Sequence, residues 1–181
     1  MRRRHGGIAQ RGAGARCTAI GGRTAATASD HCRAAIAGAG PRRAARTRTL
    51  MVFYLDTSGF VKFVAIEEYS ASLREWVQQT EPELVSSDLL RIEALRAARR
   101  LGPEYLKAAR EALQHVHLIA LTSRMCEVAA DLDPAILRSL DAAHLATALS
   151  IGDDVFGVVT YDQRFSDACN QLGLTVVTPG L

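Results

Sequence analysis

No apolar run in the 181-residue sequence approaches the ~18 residues that a membrane span needs. A transmembrane helix is therefore excluded. After Arg2-Arg3-Arg4 the chain meets Gly, Gln and Arg instead of an apolar stretch, so the start does not read as a secretory leader. Cysteine is scarce. Cys17, Cys32, Cys126 and Cys169 show no CxxC spacing, which argues against a zinc site or a disulfide framework and fits a reduced cytoplasm. Aromatics and lysine are missing from residues 1–50, where Ile8, Ile20, Ile36 and Leu50 are the large aliphatics.

That first segment holds eleven arginines and one acid, Asp30, a formal charge of +10. It cannot bury enough apolar surface to offset the entropy of ordering, so it is expected to be a disordered basic extension. Three origins fit it: a translation start placed upstream of the true one, a basic tail for nucleic acid, or an organelle transit peptide. Residues 51–181 carry the other 11 basic residues against 18 acids, a charge of −7. The basic balance of the whole chain thus says little about the domain that starts at Met51. Its length of about 130 residues suffices for an independent core.

From Met51 the pattern alternates. Met51–Leu55 reads as a buried strand, 57–66 as a helix, and Ser70–Gln79 as a helix with Leu73, Trp76 and Val77 on one face. Leu84–Ser86 reads as a short strand. Ser87 or Asp88 caps a helix that runs to Leu101, where Gly102-Pro103 stops it. A helix over 103–115, a strand over His117–Leu121 and a helix from Thr122 or Ser123 to Leu132 follow. Ser139 caps the next helix. A strand over 155–160, a helix over 163–172 and a strand over Leu174–Val177 complete the chain. Strands alternating with helices imply an α/β fold with a parallel sheet covered on both faces.

Four carboxylates stand where such a fold gathers ligands, at the ends of strands and the starts of helices. Asp56 follows the first strand and opens Asp56-Thr57-Ser58, three capping residues where one cap needs one. Glu93 borders the apolar face Leu90, Ala94, Ala97 and Leu101; its plain alternative is a surface glutamate near Arg96. Asp141 lies in the first turn of Leu140–Leu149, which is apolar almost all round, so its charge needs a partner or a proton. A hydrogen-bonded structural aspartate is the alternative there. His144, one turn on, reads as a packed or hydrogen-bonded core histidine. Asp162 follows Thr160 and Tyr161, and again a helix cap is the plain alternative. Asp88, Asp131, Asp133, Asp153 and Asp154 read as caps and loop acids. Carboxylates ~4 Å apart repel by about 4 kcal/mol per pair at an effective dielectric of 20. A cation relieves that, and Mg²⁺ suits oxygen ligands plus substrate phosphate.

These segments resemble the PIN-domain ribonucleases, and most closely the VapC toxins of bacterial toxin–antitoxin pairs. Leu55-Asp56-Thr57-Ser58 with Val61-Lys62 is similar to the family's first acid motif. Ser86–Arg96 is similar to the second-acid helix, Leu140–Ala148 to the third, and Thr160–Phe165 to the final acid motif. The resemblance covers 51–181 and leaves 1–50 outside. It implies a three-layer α/β/α domain and Mg²⁺- or Mn²⁺-dependent hydrolysis of RNA. Asp56, Glu93, Asp141 and Asp162 would be the catalytic and metal-binding residues. It also implies a homodimer, and a small antitoxin protein that wraps the toxin and blocks the acidic pocket. Residues 1–50 would be dispensable for folding and cleavage. RNA needs positive charge, and Arg91, Arg96, Arg99 and Arg100 on the Glu93 helix could flank the pocket, unless they form a solvated face.

Other classes fit less well. A haloacid-dehalogenase-like phosphatase needs a second Asp two residues after the first, and position 58 is Ser. A dinucleotide-binding enzyme needs a Gly-rich turn after the first strand, which Asp56-Thr57-Ser58-Gly59-Phe60 is not. A non-catalytic binding module, or a PIN-fold RNA-processing protein without a toxin role, is compatible with the same residues.

Overall fold

Period-two burial sets the two faces of a central sheet. The computed structural model describes residues 51–181; the disorder expected of residues 1–50 lies outside the described residues. In β1 (Val52–Leu55), Phe53 and Leu55 join one core and Tyr54 the other. In β2 (Glu83–Ser87), Leu84 and Val85 split in the same way, as do Val159 and Val158 in β4 (Val155–Val159). Successive side chains of a strand point to opposite faces, so near-continuous apolar strands require helices on both sides.

Those helices are α1 (Thr57–Val64), α2 (Ser70–Thr80), α3 (Leu89–Leu101) and α4 (Pro103–Ala112) on the Phe53 face. On the Tyr54 face lie α6 (Ser139–Ser150) and α7 (Gln163–Gln171), with α5 (Ser123–Asp131) packed on α6. β3 (His117–Ile119) and β5 (Val176–Val177) form the edges. The order is β3-β2-β1-β4-β5 and every pairing is parallel. The three-layer α/β/α expectation holds.

Element boundaries differ from the sequence pattern in small ways with local causes. The helix over 103–115 ends at Ala112 and tightens into a 3₁₀ turn, Leu113–His115. Thr122 caps α5 by accepting the Met125 amide at 3.2 Å. Ser139 does not cap α6: it is already helical, and Arg138 holds the cap position without a side-chain bond. The buried stripe of α3 is Leu90, Ala94 and Ala98, at strict i+4 spacing, while Leu101 is exposed where the helix runs past the core. Cys126 is exposed and Cys169 buried, both as free thiols. No helix among the described residues is long and apolar enough to cross a membrane.

The first turn of α1 lies hard against the ends of β1 and β4. A Cβ on Gly59 would stand 2.9 Å from Leu55 Cδ1 and 3.2 Å from the Val159 carbonyl oxygen. The backbone oxygen cannot yield as a flexible side chain can. Gly59→Ala is therefore expected to destabilise the protein by roughly 1–3 kcal/mol, an overpacking effect. Urea unfolding checks it; an unchanged midpoint would mean that α1 shifts freely.

Candidate active site

The strand order reverses between β1 and β4. β2 and β3 leave on one side and β5 on the other, which opens a crevice at the carboxyl ends of the two central strands. Asp56 follows β1 directly. Thr160, Tyr161 and Asp162 follow β4. The Asp56 amide donates to the Val159 carbonyl at 3.0 Å and locks the two strand ends together.

Each member of Asp56-Thr57-Ser58 has a separate task, which explains the three capping residues in a row. Asp56 is buried, and its Oδ2 accepts from the Ser58 amide (3.1 Å), Ser58 Oγ (2.6 Å) and Thr160 Oγ1 (3.0 Å). Both hydroxyls are themselves oriented by backbone donors: Tyr161 N–H to Ser58 Oγ at 2.8 Å, and Asp162 N–H to Thr160 Oγ1 at 3.2 Å. Asp56 is thus a helix cap and something more, because Oδ1 takes no hydrogen bond among the described residues.

Thr57 turns to the second acid. Its Oγ1 donates to Glu93 Oε2 at 2.6 Å, and His144 Nε2 meets the same oxygen at 2.8 Å. Behind the imidazole, Tyr54 Oη lies 2.7 Å from His144 Nδ1 and accepts the Ser87 amide at 3.1 Å. The Ser87 amide, the Tyr54 hydroxyl, the imidazole and Glu93 thus form one chain of hydrogen bonds. Tyr54 and His144 are fully enclosed, and burial raises the tyrosine pKa far above its ordinary value. Burial works against the charge on Glu93, but the bonds from His144 and Thr57 and the attraction of the imidazole outweigh it. Its pKa falls below the ordinary value. The stability this contributes is present above the ordinary glutamate pKa and is lost as pH falls through the lowered one. Glu93 is therefore no surface partner of Arg96. His144 is the hydrogen-bonded core histidine expected, with a duty to Glu93 that its sequence spacing does not reveal.

Asp141 is half-buried on the first turn of α6, ahead of Ala142–Ala148, all buried. It makes no hydrogen bond or ion pair among the described residues, so the structural-aspartate alternative has no partner. Desolvation raises its pKa, and the charges of Asp162 and Asp56 raise it further; Arg164 and Arg138 oppose. Asp162 does cap α7, accepting the Arg164 and Phe165 amides on Oδ1 at 2.9 and 3.2 Å, while Arg164 reaches Oδ2 at 3.4 Å. Burial opposes its charge, but these bonds prevail and hold its pKa below the usual carboxylate range.

The crevice therefore brings Asp56, Asp141 and Asp162 into one electrostatic group, with Glu93 tied to it through Thr57. No three His, Cys, Asp or Glu side chains among the described residues stand at direct ligating distance of one point. Among the described residues, Asp56 Oδ1, Glu93 Oε1 and both oxygens of Asp141 have no hydrogen-bond partner. They are hard anionic donors, suited to a magnesium-like ion that keeps several waters and needs few carboxylates. The duties of the Ser58, Thr57 and Thr160 hydroxyls toward the acids, and the pairing of Tyr54 with His144, are not legible in the sequence. Their signal is a run of small hydroxyl residues beside each acid, which reads equally as capping.

Comparison with known proteins agrees with this architecture. The PIN domain family matches residues 53–171, and the chain belongs to that family. Among its relatives, ribonuclease VapC46 of Mycobacterium tuberculosis is 41% identical over 130 residues, covering 72% of this chain and 99% of the relative. Ribonuclease VapC35 of the same species is 38% identical over 132 residues, covering 71% and 98%. The crystal structure of Mycobacterium tuberculosis VapC20, described as a sarcin-ricin loop cleaving toxin, shares the fold at TM-score 0.55 and 18% identity, covering 70% of this chain and 99% of that one. A toxin–antitoxin complex from Klebsiella pneumoniae matches at TM-score 0.54 and 19% identity, covering 70% and 96%.

Proposed function

We propose that the protein is a Mg²⁺-dependent endoribonuclease, with Mn²⁺ able to substitute, and that it acts as the toxin of a toxin–antitoxin pair. Asp141 carries the reading. It is a half-buried carboxylate beside Asp56 and Asp162 with no hydrogen-bond or ion-pair partner among the described residues, in a chain 41% identical to a ribonuclease of the same family. Asp56 Oδ1, Asp141 and Glu93 Oε1 would hold the ion. When bound, the ion supplies Lewis-acid stabilisation of the charge that builds on phosphorus. Ser58 and Thr160 fix the Asp56 carboxylate through Oδ2, so that Oδ1 faces the crevice in one orientation. Thr57 and His144 do the same for Glu93 and keep it ionised, ready to accept a proton or a hydrogen bond from attacking water. Asp162, its own oxygens engaged by α7, adds negative potential.

Purified protein is expected to cleave RNA in Mg²⁺ or Mn²⁺ and to stop in EDTA. Saturating Mg²⁺ should also raise the melting temperature by mass action, since it binds only the folded state; at a hundredfold excess over Kd the gain is about 2.7 kcal/mol. Full activity after exhaustive chelation would remove the metal from the mechanism. The toxin role rests on the VapC relatives and on the fold shared with a toxin–antitoxin complex. It implies a small antitoxin partner and a homodimer. Induced expression should arrest growth, and the co-expressed antitoxin should relieve it. Cleavage in vitro without growth arrest would leave a nuclease without a toxin role.

A further inference from the structure

Helices α3 and α4 pack side by side across the Gly102-Pro103 turn and leave a groove of about 560 Å³ between them. Its floor is apolar, Leu95 and Leu106. Its walls carry four exposed arginines, Arg96, Arg99, Arg100 and Arg110. We propose that this groove binds the backbone phosphates of the RNA substrate and leads the strand to the acidic crevice, an inference that rests on the nuclease reading above.

Three observations carry it. First, none of the four guanidinium groups has an acidic partner among the described residues. Arg91 and Arg164 do, with Asp88 at 3.6 Å and Asp162 at 3.4 Å. Arg91 is thereby removed from the basic face expected of α3, and Arg110 of α4 takes its place. Residues 51–181 hold 18 acids against 11 bases, so carboxylates are plentiful, yet none is spent here. Four unpaired cations side by side repel one another and fit a polyanion. Second, the groove shares two of its arginines with a cavity at Glu93. Arg96 and Arg100 also line a second cavity, of about 470 Å³, which Thr57 and Glu93 bound. Glu93, Arg96 and Arg100 fall at i, i+3 and i+7 on α3, along one face. Arg96 and Arg100 thus link the groove to the Glu93 side of the acid site. Third, planar guanidinium groups above an apolar floor suit a nucleotide, whose phosphate takes the charge while its base covers Leu95 or Leu106.

Arg99 and Arg110 line the groove and not the Glu93 cavity, so they test the groove alone. The full-length double variant Arg99→Ala/Arg110→Ala is compared with the parent for binding of a single-stranded oligoribonucleotide in EDTA over a range of salt. Both proteins keep the same basic residues 1–50, so only the difference in slope is read. Two lost phosphate contacts should flatten the slope of log K against log salt by about 1.4, at ~0.7 per phosphate. In Mg²⁺, KM for RNA should rise with kcat little changed. Arg99→Lys/Arg110→Lys keeps the charge and should keep the parent slope. Cleavage of total RNA by the parent, run alongside, tests the nuclease reading separately. Equal slopes for the alanine variant and the parent would overturn the groove proposal. Equal slopes with weakened binding of a polyglutamate peptide would overturn it in favour of an acidic protein segment.

Discussion

Asp141→Asn is expected to abolish RNA cleavage and to leave the protein at least as stable as before. The shape is kept and the charge removed. In the folded protein that charge is disfavoured by burial and by Asp162 and Asp56, and no hydrogen bond from the described residues compensates it. The sign follows from linkage. A carboxyl whose folded pKa is raised adds stability below its unfolded pKa and loses it as pH rises through the folded one. The parent therefore loses stability across that window and the asparagine variant does not. The advantage of the variant should be present at neutral pH without metal and should vanish below the ordinary aspartate range. Saturating Mg²⁺ should reverse the order, because only the parent keeps the full donor set. Denaturant unfolding at several pH values, with and without Mg²⁺, reads all of this beside the cleavage rate. An active but destabilised variant would show that Asp141 serves the fold and not the chemistry.

His144→Ala should damage both stability and activity. The imidazole is enclosed between Tyr54 and Glu93 and bonds to each. Its removal leaves a cavity and a buried tyrosine hydroxyl that keeps the Ser87 amide but loses its imidazole partner, together a loss of about 2–4 kcal/mol. Glu93 would retain only Thr57 on Oε2, and loss of such a supporting partner typically lowers metal affinity or activity by ~10–100-fold. The pH profile distinguishes this positioning role from mere packing. Without His144, burial of Glu93 is opposed by Thr57 alone, so its pKa moves up and the acid limb of the cleavage profile should shift to higher pH. His144→Gln, which can offer a donor to Oε2, should recover part of the rate. A destabilised variant with the parent profile would assign His144 to packing only.

Short apolar runs and helical patterning placed the strands and α-helices of residues 51–181 in the right order, because burial on both faces of a parallel sheet forces apolar strands and amphipathic helices wherever they occur. Boundaries slipped where local geometry decided: the 3₁₀ turn after Ala112, the helical Ser139, and the stripe of α3 that runs through Ala98. All four acids were legible as single residues, each at the end of a strand or on the turn of a helix. Their individual meaning was not, since a cap, a surface glutamate and a catalytic carboxylate share one sequence signature.

The sequence by itself determined the α/β class, the break in composition at Met51 and the identity of the four acids, because these depend on neighbours along the chain. Only the tertiary structure decided what each acid meets. Asp56 and Asp162 are 106 positions apart and become neighbours through the pairing of β1 with β4. Glu93 meets His144 51 positions away because α3 and α6 approach the same strand end from opposite faces. The division of roles among Asp56, Thr57 and Ser58 and the relay from Tyr54 to Glu93 follow from long-range contacts. The physical reason is that a hydrogen bond or a charge interaction is set by distance in space, whereas the patterns legible in a sequence are set by spacing along a strand or helix.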